Sequence, residues 1–207
     1  MPAKFVLLAS AVLAAGLAAA QSESAPPPLP FAPVPDQFVL PDGAYFGGVA
    51  AIAINSKGHF FVYNRGPHPL VEFTPDGHFV RYLAEGLVRF AHGMRIDGED
   101  NIWITDPRQN LVFKLSPQGR ILFVLGSSTN ETGDFSAHFK MALLREPTSV
   151  AFGPAGEIYV AEGHGGETNR IRKFDRNGHN LQTWGGKRGS APGQFDQPHN
   201  IIVGPDG

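Results

Sequence analysis

Two histidines of this 207-residue chain stand in the same local setting. His92 comes just before a short alternating apolar stretch in "AHGMRIDGEDNIWITD", and His199 comes just before another in "PHNIIVGPDG". Imidazole nitrogens are common ligands of zinc, and a catalytic zinc keeps three protein ligands and one open position. The alternative is that each histidine only hydrogen-bonds the backbone where a strand begins. The repeats in the sequence bear on the choice between these two roles.

The sequence repeats one phrase along its length. Four segments align without internal gaps, at residues 50–64, 92–106, 148–162 and 199–207. The phrase is an alternating apolar stretch, a turn containing Gly or Asp and a second apolar stretch, and a glycine-centred hairpin follows each of the first three copies. Four short antiparallel strands in about 40–50 residues are typical of a β-propeller blade. A β-sandwich, the alternative, has no reason to repeat a whole four-strand phrase.

The repeat count defines the predicted fold. It is all-β, with about three propeller blades plus the first strand of a fourth, over residues 45–207. Propellers close with typically four to eight blades. We therefore expect the sequence to be a fragment of a longer protein.

The N-terminal residues predict export. Lys4 precedes an apolar run at residues 5–17, and three alanines then give a small-residue cleavage pattern, so residues 1–20 are predicted to be a signal peptide. A transmembrane anchor is the alternative, because the apolar run nearly spans a bilayer. The proline-rich residues 21–44 are predicted to be a linker. After cleavage the protein is expected to be secreted or periplasmic and free of the membrane.

The composition argues against some binding partners and excludes disulfide bonds. The formal net charge is −2 and there is no run of Lys or Arg, which argues against a nucleic-acid partner. The chain has no cysteine, so an exported form relies on its fold without disulfides. With 25 Gly and 18 Pro, the composition suits one turn-rich globular domain. The oligomeric state is left open.

The alignment places the two histidines at equivalent positions of the repeat. His92 lies in blade two and His199 in blade four, while Ala50 and Thr148 occupy this register in blades one and three. Equivalent positions in a propeller are related by rotation about the central channel, which the innermost strands line. His92 and His199 are therefore expected to face each other, and blade six of a six-bladed ring would hold the third position of a histidine tripod for zinc.

Hairpin geometry predicts which other residues share the histidine face. Antiparallel pairing brings the end of each second strand opposite the start of the first strand. Residues just after the second strand therefore emerge beside the histidines, and these include Arg65 in blade one and His164 in blade three. The residues that end the second strands are predicted to accept hydrogen bonds from backbone amides of the next blade: Asn64, Asp106 and Glu162.

Several phrases resemble a known family. The stretches "PTSVAFGPAGEIYVAEG" and "GQFDQPHNIIVGPDG" look like NHL repeats. Together with "NRGPHPLVEF" and "AHGMRIDGEDNIWITDPRQNLVFKL" they resemble the peptidyl-α-hydroxyglycine α-amidating lyase family, over residues 45–207. The resemblance implies a six-bladed NHL-type β-propeller and a small-molecule or peptide substrate. It also implies cleavage of a terminal hydroxyglycine to a peptide amide and glyoxylate.

The resemblance also suggests roles for individual residues. The family's zinc ligands correspond to His92 and His199, with a third histidine outside this sequence. Its substrate-positioning arginine corresponds to Arg65, whose guanidinium offers a fixed fork of donors to a carboxylate or carbonyl oxygen. The family often carries an axial calcium held partly by inner-strand carbonyls, which correspond to those of Ile52 and Met94. Carbonyl oxygens are suitable calcium ligands.

His164 departs from the family pattern. The family's phrase there is Asp-Gly-Tyr, with the tyrosine as proton acceptor, whereas this chain has Glu162-Gly163-His164. Histidine can act as a general base near neutral pH, and it can also ligate a metal or do neither. Two hypotheses follow. One is a zinc-dependent lyase in which Arg65 and His164 are catalytic, and the other is a non-catalytic NHL propeller that binds a peptide, glycan or other ligand on its top face.

Overall fold

Three four-stranded antiparallel sheets form the part of the chain that the computed structural model describes, residues 27–126, 143–166 and 168–204. The first sheet contains β1 (Val49–Ile54), β2 (Phe60–Asn64), β3 (Leu70–Phe73) and β4 (Phe79–Leu83). The second contains β5 (Met94–Ile96), β6 (Ile102–Asp106), β7 (Leu111–Leu115) and β8 (Ile121–Gly126). The third contains β9 (Pro147–Phe152), β10 (Ile158–Glu162), β11 (Thr168–Phe174) and β12 (Asn180–Lys187). Strand order follows the chain in every sheet, so each sheet is one of the three predicted blades.

The chain divides into two compact units, residues 1–34 and 35–207. In the first unit, residues 27–34 are described, and they contain no helix or strand. The described residues as a whole include no helix that is long and apolar enough to cross a membrane. Several predicted features lie outside the described residues: the signal peptide at 1–20, the start of the linker at 21–26, and the end of the fourth repeat segment at 205–207.

Consecutive blades pack face to face along their first strands. β1 lies beside β5, and β5 lies beside β9, as expected for innermost strands around one axis. Side chains of β6 alternate between two cores, because successive residues of a strand point to opposite faces. Ile102 and Ile104 pack between the first and second blades, and Trp103 packs between the second and third. Full burial of each isoleucine contributes about 1.5–3 kcal/mol.

Part of the predicted linker packs against the first blade. The ring centroid of Phe38 lies 4.8 Å from that of Phe73, and the backbone N–H of Val39 donates to the Gly77 carbonyl at 3.0 Å. Apolar residues spaced among the prolines thus cover one face of the sheet. The compact unit consequently begins at Pro35 rather than at residue 45.

The segment after the third blade differs from the prediction. The sequence predicts a first strand of a fourth blade at residues 200–204, whereas the structure shows no strand there. A strand requires ladder hydrogen bonds, and no described strand pairs with this segment. Side chains hold it instead: Asn200 Oδ1 accepts from Arg95 Nη2 at 2.9 Å and from Ser149 Oγ at 2.8 Å. These bonds fix the segment against β5 and β9.

Candidate metal centre

Three histidine rings converge at the start of the innermost strands. The candidate ligand nitrogens of His92, His164 and His199 all lie within 4.8 Å of one another. The ring centroid of His92 is 4.7 Å from that of His164 and 5.0 Å from that of His199. The structure thus brings together the two histidines of equivalent register and adds a third from blade three. Three imidazoles are a donor set that suits zinc.

Contacts with blade three orient His92. Its Nδ1 lies 2.8 Å from the Thr148 carbonyl oxygen, which only a protonated Nδ1 can satisfy, so Nε2 is left with a lone pair for a metal. The next residue must be glycine, because a Cβ on Gly93 would lie 2.4 Å from that same oxygen. The pKa of His92 is lowered to about 4, mainly by burial; the Thr148 hydrogen bond opposes this shift, and His164, His199 and Arg65 add to it. The imidazole is therefore neutral at pH 7, the form that binds metal.

Thr148 also positions the segment that carries His199. Its hydroxyl lies 2.7 Å from the Pro198 carbonyl oxygen and 3.1 Å from that of Ala161. His199 is exposed, and its Nδ1 lies 3.3 Å from the Gln197 carbonyl oxygen, which again leaves Nε2 for a ligand. Sequence reasoning noted Thr148 only as the register residue of blade three. Thr148 occupies the equivalent register in blade three, between His92 and His199 in the chain. A hydrogen-bonding side chain at that position was the feature of the sequence that could have indicated a positioning role.

His164 is placed by a glycine-flanked loop after β10. Gly163 lies against the segment of His199, since a Cβ there would be 2.6 Å from Pro198 Cδ. The following Gly165 has a φ of 98°, a backbone conformation that favours glycine. The His164 ring meets Phe90 edge to face at 5.6 Å between centroids. Within the described part of the chain, the contacts of this ring are to other rings, and neither of its nitrogens is hydrogen-bonded.

Arg65 lies on the same face as the histidines. Its Nε donates to the Ala91 carbonyl at 3.1 Å, next to His92, and its guanidinium carbon lies 4.0 Å from the centroid of Phe90. The guanidinium of Arg108 also approaches Phe90, at 4.6 Å. The repeat register predicts Arg65 beside the histidines, whereas no sequence pattern marks Phe90 as the aromatic support of two arginines.

An open cleft of about 470 Å³ adjoins His164. Its walls include Phe90, Arg108, Arg145 and Glu146. Neither arginine forms an ion pair with a carboxylate in the described residues. The Glu146 carboxylate accepts a hydrogen bond from the Gly166 backbone N–H at 2.8 Å. The cleft therefore offers positive charge and one carboxylate beside the histidine cluster.

Buried polar residues at the ends of the second strands brace this face. Asp106 Oδ2 accepts from the backbone amides of Arg89 at 2.6 Å and Phe90 at 3.0 Å. These amides precede β5 of the same blade, so the predicted bonding to the next blade is wrong. The antiparallel hairpin returns the second strand to the start of its own first strand, where those amides lie unpaired. The other two blades repeat this arrangement. In blade one, Asn64 Oδ1 accepts from the Gly47 backbone N–H at 3.1 Å, and in blade three, Glu162 Oε2 accepts from the Arg145 backbone N–H at 2.6 Å.

The predicted calcium ligands lie on neighbouring first strands. Ile52 of β1 pairs with Val62, and Met94 of β5 pairs with Ile104. The Met94 carbonyl accepts a hydrogen bond from Nη1 of Arg95 at 3.3 Å. Because a guanidinium and a calcium ion repel each other, calcium at this carbonyl requires Arg95 to turn away. Calcium binding at these carbonyls stays a prediction.

Comparisons with curated proteins identify relatives of the chain. Peptidyl-glycine alpha-amidating monooxygenase A of Xenopus laevis is 30% identical over 190 residues, an alignment covering 77% of this chain and 20% of that protein. NHL repeat-containing protein 3 of Mus musculus is 32% identical over 173 residues, covering 77% and 47%. Peptidyl-alpha-hydroxyglycine alpha-amidating lyase 2 of Drosophila melanogaster is 27% identical over 186 residues, covering 75% and 44%. The chain spans less than half the length of these three relatives, and no family model matches it.

Solved structures share the fold at lower identity. A streptogramin B lyase structure superposes with a TM-score of 0.56 at 16% identity, covering 79% of this chain and 47% of that one. Virginiamycin B lyase from Staphylococcus aureus superposes with a TM-score of 0.53 at 19% identity, covering 77% and 46%. Similarity at this level of identity concerns the fold alone.

Proposed function

We propose that this chain, an NHL-repeat β-propeller resembling the peptidyl-α-hydroxyglycine α-amidating lyases, acts as a secreted, zinc-dependent lyase on a peptidyl-α-hydroxyglycine-like substrate. The observation that carries the proposal is the convergence of three histidine nitrogens within 4.8 Å on the face that presents Arg65. His92 and His199 would hold the metal, with Nδ1 of each facing a backbone carbonyl. When bound, zinc supplies a Lewis acid for a substrate oxygen.

Arg65 is suited to hold the substrate. Its Nε donates a hydrogen bond to the Ala91 carbonyl, and its guanidinium lies over the Phe90 ring. These two contacts fix the plane of the guanidinium. Its terminal amino groups make no hydrogen bond within the described residues, and they can donate to the substrate carboxylate or carbonyl oxygen. Removal of such a donor typically lowers kcat about 10²–10³-fold.

The reaction breaks a C–N bond without any net change in oxidation state. The hydroxyl proton of the hydroxyglycine leaves to a base, the O–H electron pair becomes the second C–O bond of glyoxylate, and the C–N pair stays on nitrogen. The nitrogen then takes one proton to give the amide. His164 and Glu146 are the lining residues of the cleft whose side chains can act as a general base.

The cleft is the place for the peptide that precedes the hydroxyglycine. It lies directly beside His164, and it offers two arginines without ion-pair partners in the described chain together with the half-buried Phe90. An extended peptide of one or two residues fits a volume of about 470 Å³. This placement puts the terminal hydroxyglycine next to Arg65 and the histidines.

A direct assay tests the proposal. The expressed chain, loaded with zinc, is incubated with a hydroxyglycine-terminated peptide, and glyoxylate and the peptide amide are quantified. We expect release of both products in equal amounts, suppression by a zinc chelator, and a large loss of kcat/KM for Arg65→Ala. His179→Ala serves as the matched control, because His179 is an exposed turn residue paired with Asp175. A zinc-loaded chain that releases no glyoxylate above the buffer rate would refute the lyase.

The second hypothesis is a non-catalytic propeller that binds a ligand on the same face. The replacement of the family's tyrosine by His164 favours it, as does the 32% identity to NHL repeat-containing protein 3. Calorimetry with the same peptide separates the two functions. A non-catalytic binder gives saturable binding without turnover, whereas the lyase gives glyoxylate.

A further inference from the structure

We propose that His164 is the third metal ligand, so that blades two and three and the segment after blade three provide a complete three-histidine zinc site. This inference rests on the proposed function, which supplies the identity of the metal as zinc. It changes the role of His164 from base to ligand, and it removes the need for a third histidine from another blade.

The separation of the rings supports ligation by all three. Zinc–nitrogen bonds of 2.0–2.1 Å at tetrahedral angles place ligand nitrogens about 3.3 Å apart. The three nitrogens lie within 4.8 Å of one another without a metal, so the largest adjustment needed is about 1.5 Å, relative to that ideal geometry. Rotation of exposed or half-buried side chains supplies such a shift without backbone rearrangement. His199 is exposed, and His92 and His164 are half-buried.

The hydrogen bonds of the cluster leave the correct nitrogens available. His92 and His199 each direct Nδ1 to a backbone carbonyl, the outer-shell arrangement that fixes the tautomer of metal-binding histidines. Both nitrogens of His164 are without a hydrogen-bond partner in the described residues, and no carboxylate there pairs with this ring. An imidazole in its neutral form offers one nitrogen lone pair, and the candidate nitrogens of the three rings lie within 4.8 Å of one another. A cation among them would satisfy those lone pairs.

The backbone around His164 holds the ring at the cluster. Gly163 packs against Pro198, the residue before His199, at a distance that excludes any Cβ. The loop of blade three is thereby fixed to the segment that carries His199. A free-standing base would need only an open path to substrate, whereas this contact ties the positions of two rings together.

A ligand and a base make different predictions for the same substitution. A zinc-bound nitrogen has no lone pair to accept a proton, so a ligand role for His164 leaves Glu146 as the remaining lining residue that can act as base. If His164 is a ligand, its removal weakens zinc binding. If it is a base, its removal abolishes turnover and leaves zinc binding intact.

Zinc affinity of the full expressed chain decides between them. Competition with a chromophoric chelator gives the zinc stoichiometry and Kd of wild type, His164→Ala, His164→Gln and His179→Ala, with circular dichroism as a check of folding. We expect one zinc per wild-type chain, a Kd raised at least about 10–100-fold in both His164 variants, since loss of an outer-shell partner alone costs that much, and no change in His179→Ala. His164→Gln keeps a polar side chain and serves if the alanine variant fails to fold.

The absorption spectrum of bound cobalt gives a second readout. Cobalt(II) in the wild-type site should show the intense visible bands of tetrahedral coordination, and these bands should change in His164→Gln. Wild-type zinc affinity in a folded His164 variant, or a wild-type chain that takes up no zinc, would overturn the inference. A three-histidine site that binds zinc without releasing glyoxylate would overturn the proposed lyase and leave the inference standing.

Discussion

Thr148→Val tests whether one hydroxyl positions the segment that carries His199 in the proposed metal site. Thr148 is fully buried, and its hydroxyl lies 2.7 Å from the Pro198 carbonyl oxygen and 3.1 Å from that of Ala161. A hydroxyl donates one hydrogen, so the shorter contact is the main bond. Valine keeps the shape of threonine and removes only this donor. The backbone carbonyl that accepts from His92 is unchanged, so the substitution acts selectively on the segment of His199.

The expected magnitude follows from this single bond. A buried hydrogen bond contributes about 0.5–1.5 kcal/mol net. Loss of this bond lets the segment that carries His199 move, and zinc binding must then hold the segment in place. A cost of about 1–1.4 kcal/mol raises the Kd for zinc about 5–10-fold, since 1.4 kcal/mol corresponds to a factor of ten. The free energy of unfolding should fall by about 1 kcal/mol, because valine leaves the Pro198 carbonyl without its donor.

Chelator competition and urea unfolding measure these two effects. Thr183→Val is the matched control, because Thr183 is exposed in β12 and its hydroxyl reaches only Asn180, at 3.5 Å. We expect the control to match wild type in both assays. Unchanged zinc affinity in Thr148→Val, with the fold intact, would show that Thr148 does not position His199.

Three further predictions concern zinc binding, the stability of the fold and the N-terminus of the exported chain. Gly163→Ala should weaken zinc binding in the same competition assay, because its Cβ would lie 2.6 Å from Pro198 Cδ and must push the two segments apart. Ile104→Ala should reduce the free energy of unfolding by about 2–5 kcal/mol in urea, whereas Val80→Ala on the exposed side of β4 should stay within about 0.5 kcal/mol. N-terminal sequencing of the exported product should find a start near Gln21, and an uncleaved chain in the membrane fraction would contradict the signal peptide.

The fold was predictable because the same pattern of strands and turns occurs in each of the three blades. The first hairpins of the three blades, β1–β2, β5–β6 and β9–β10, match the aligned segments to within two residues at their starts, since alternation and turn residues both specify them. The packing of Phe38 and its neighbours was not predictable from a segment dominated by proline. Such a composition indicates the absence of regular strands but says nothing about which surface the intervening apolar residues cover.

The candidate site was only partly predictable for a related reason. Register alone relates His92 to His199, because equivalent positions of a repeat are related by rotation. The position of His164 depends on the path of a glycine-rich loop, and residues with positive φ such as Gly165 have no periodicity to read. The resemblance pointed to proton transfer at this position, and the structure places the ring beside those of His92 and His199.

Thr148 explains how two histidines of equivalent register come close together although a whole blade lies between them. β5 and β9 are neighbours, so the register residue of blade three lies between the histidine of blade two and the segment that follows. Thr148 supplies an acceptor to His92 Nδ1 at 2.8 Å and a donor to the Pro198 carbonyl at 2.7 Å. The ring centroids of His92 and His199 lie 5.0 Å apart, and the His164 ring lies beside both. Alanine, which blade one has at this register as Ala50, would leave the segment of His199 without its hydroxyl donor.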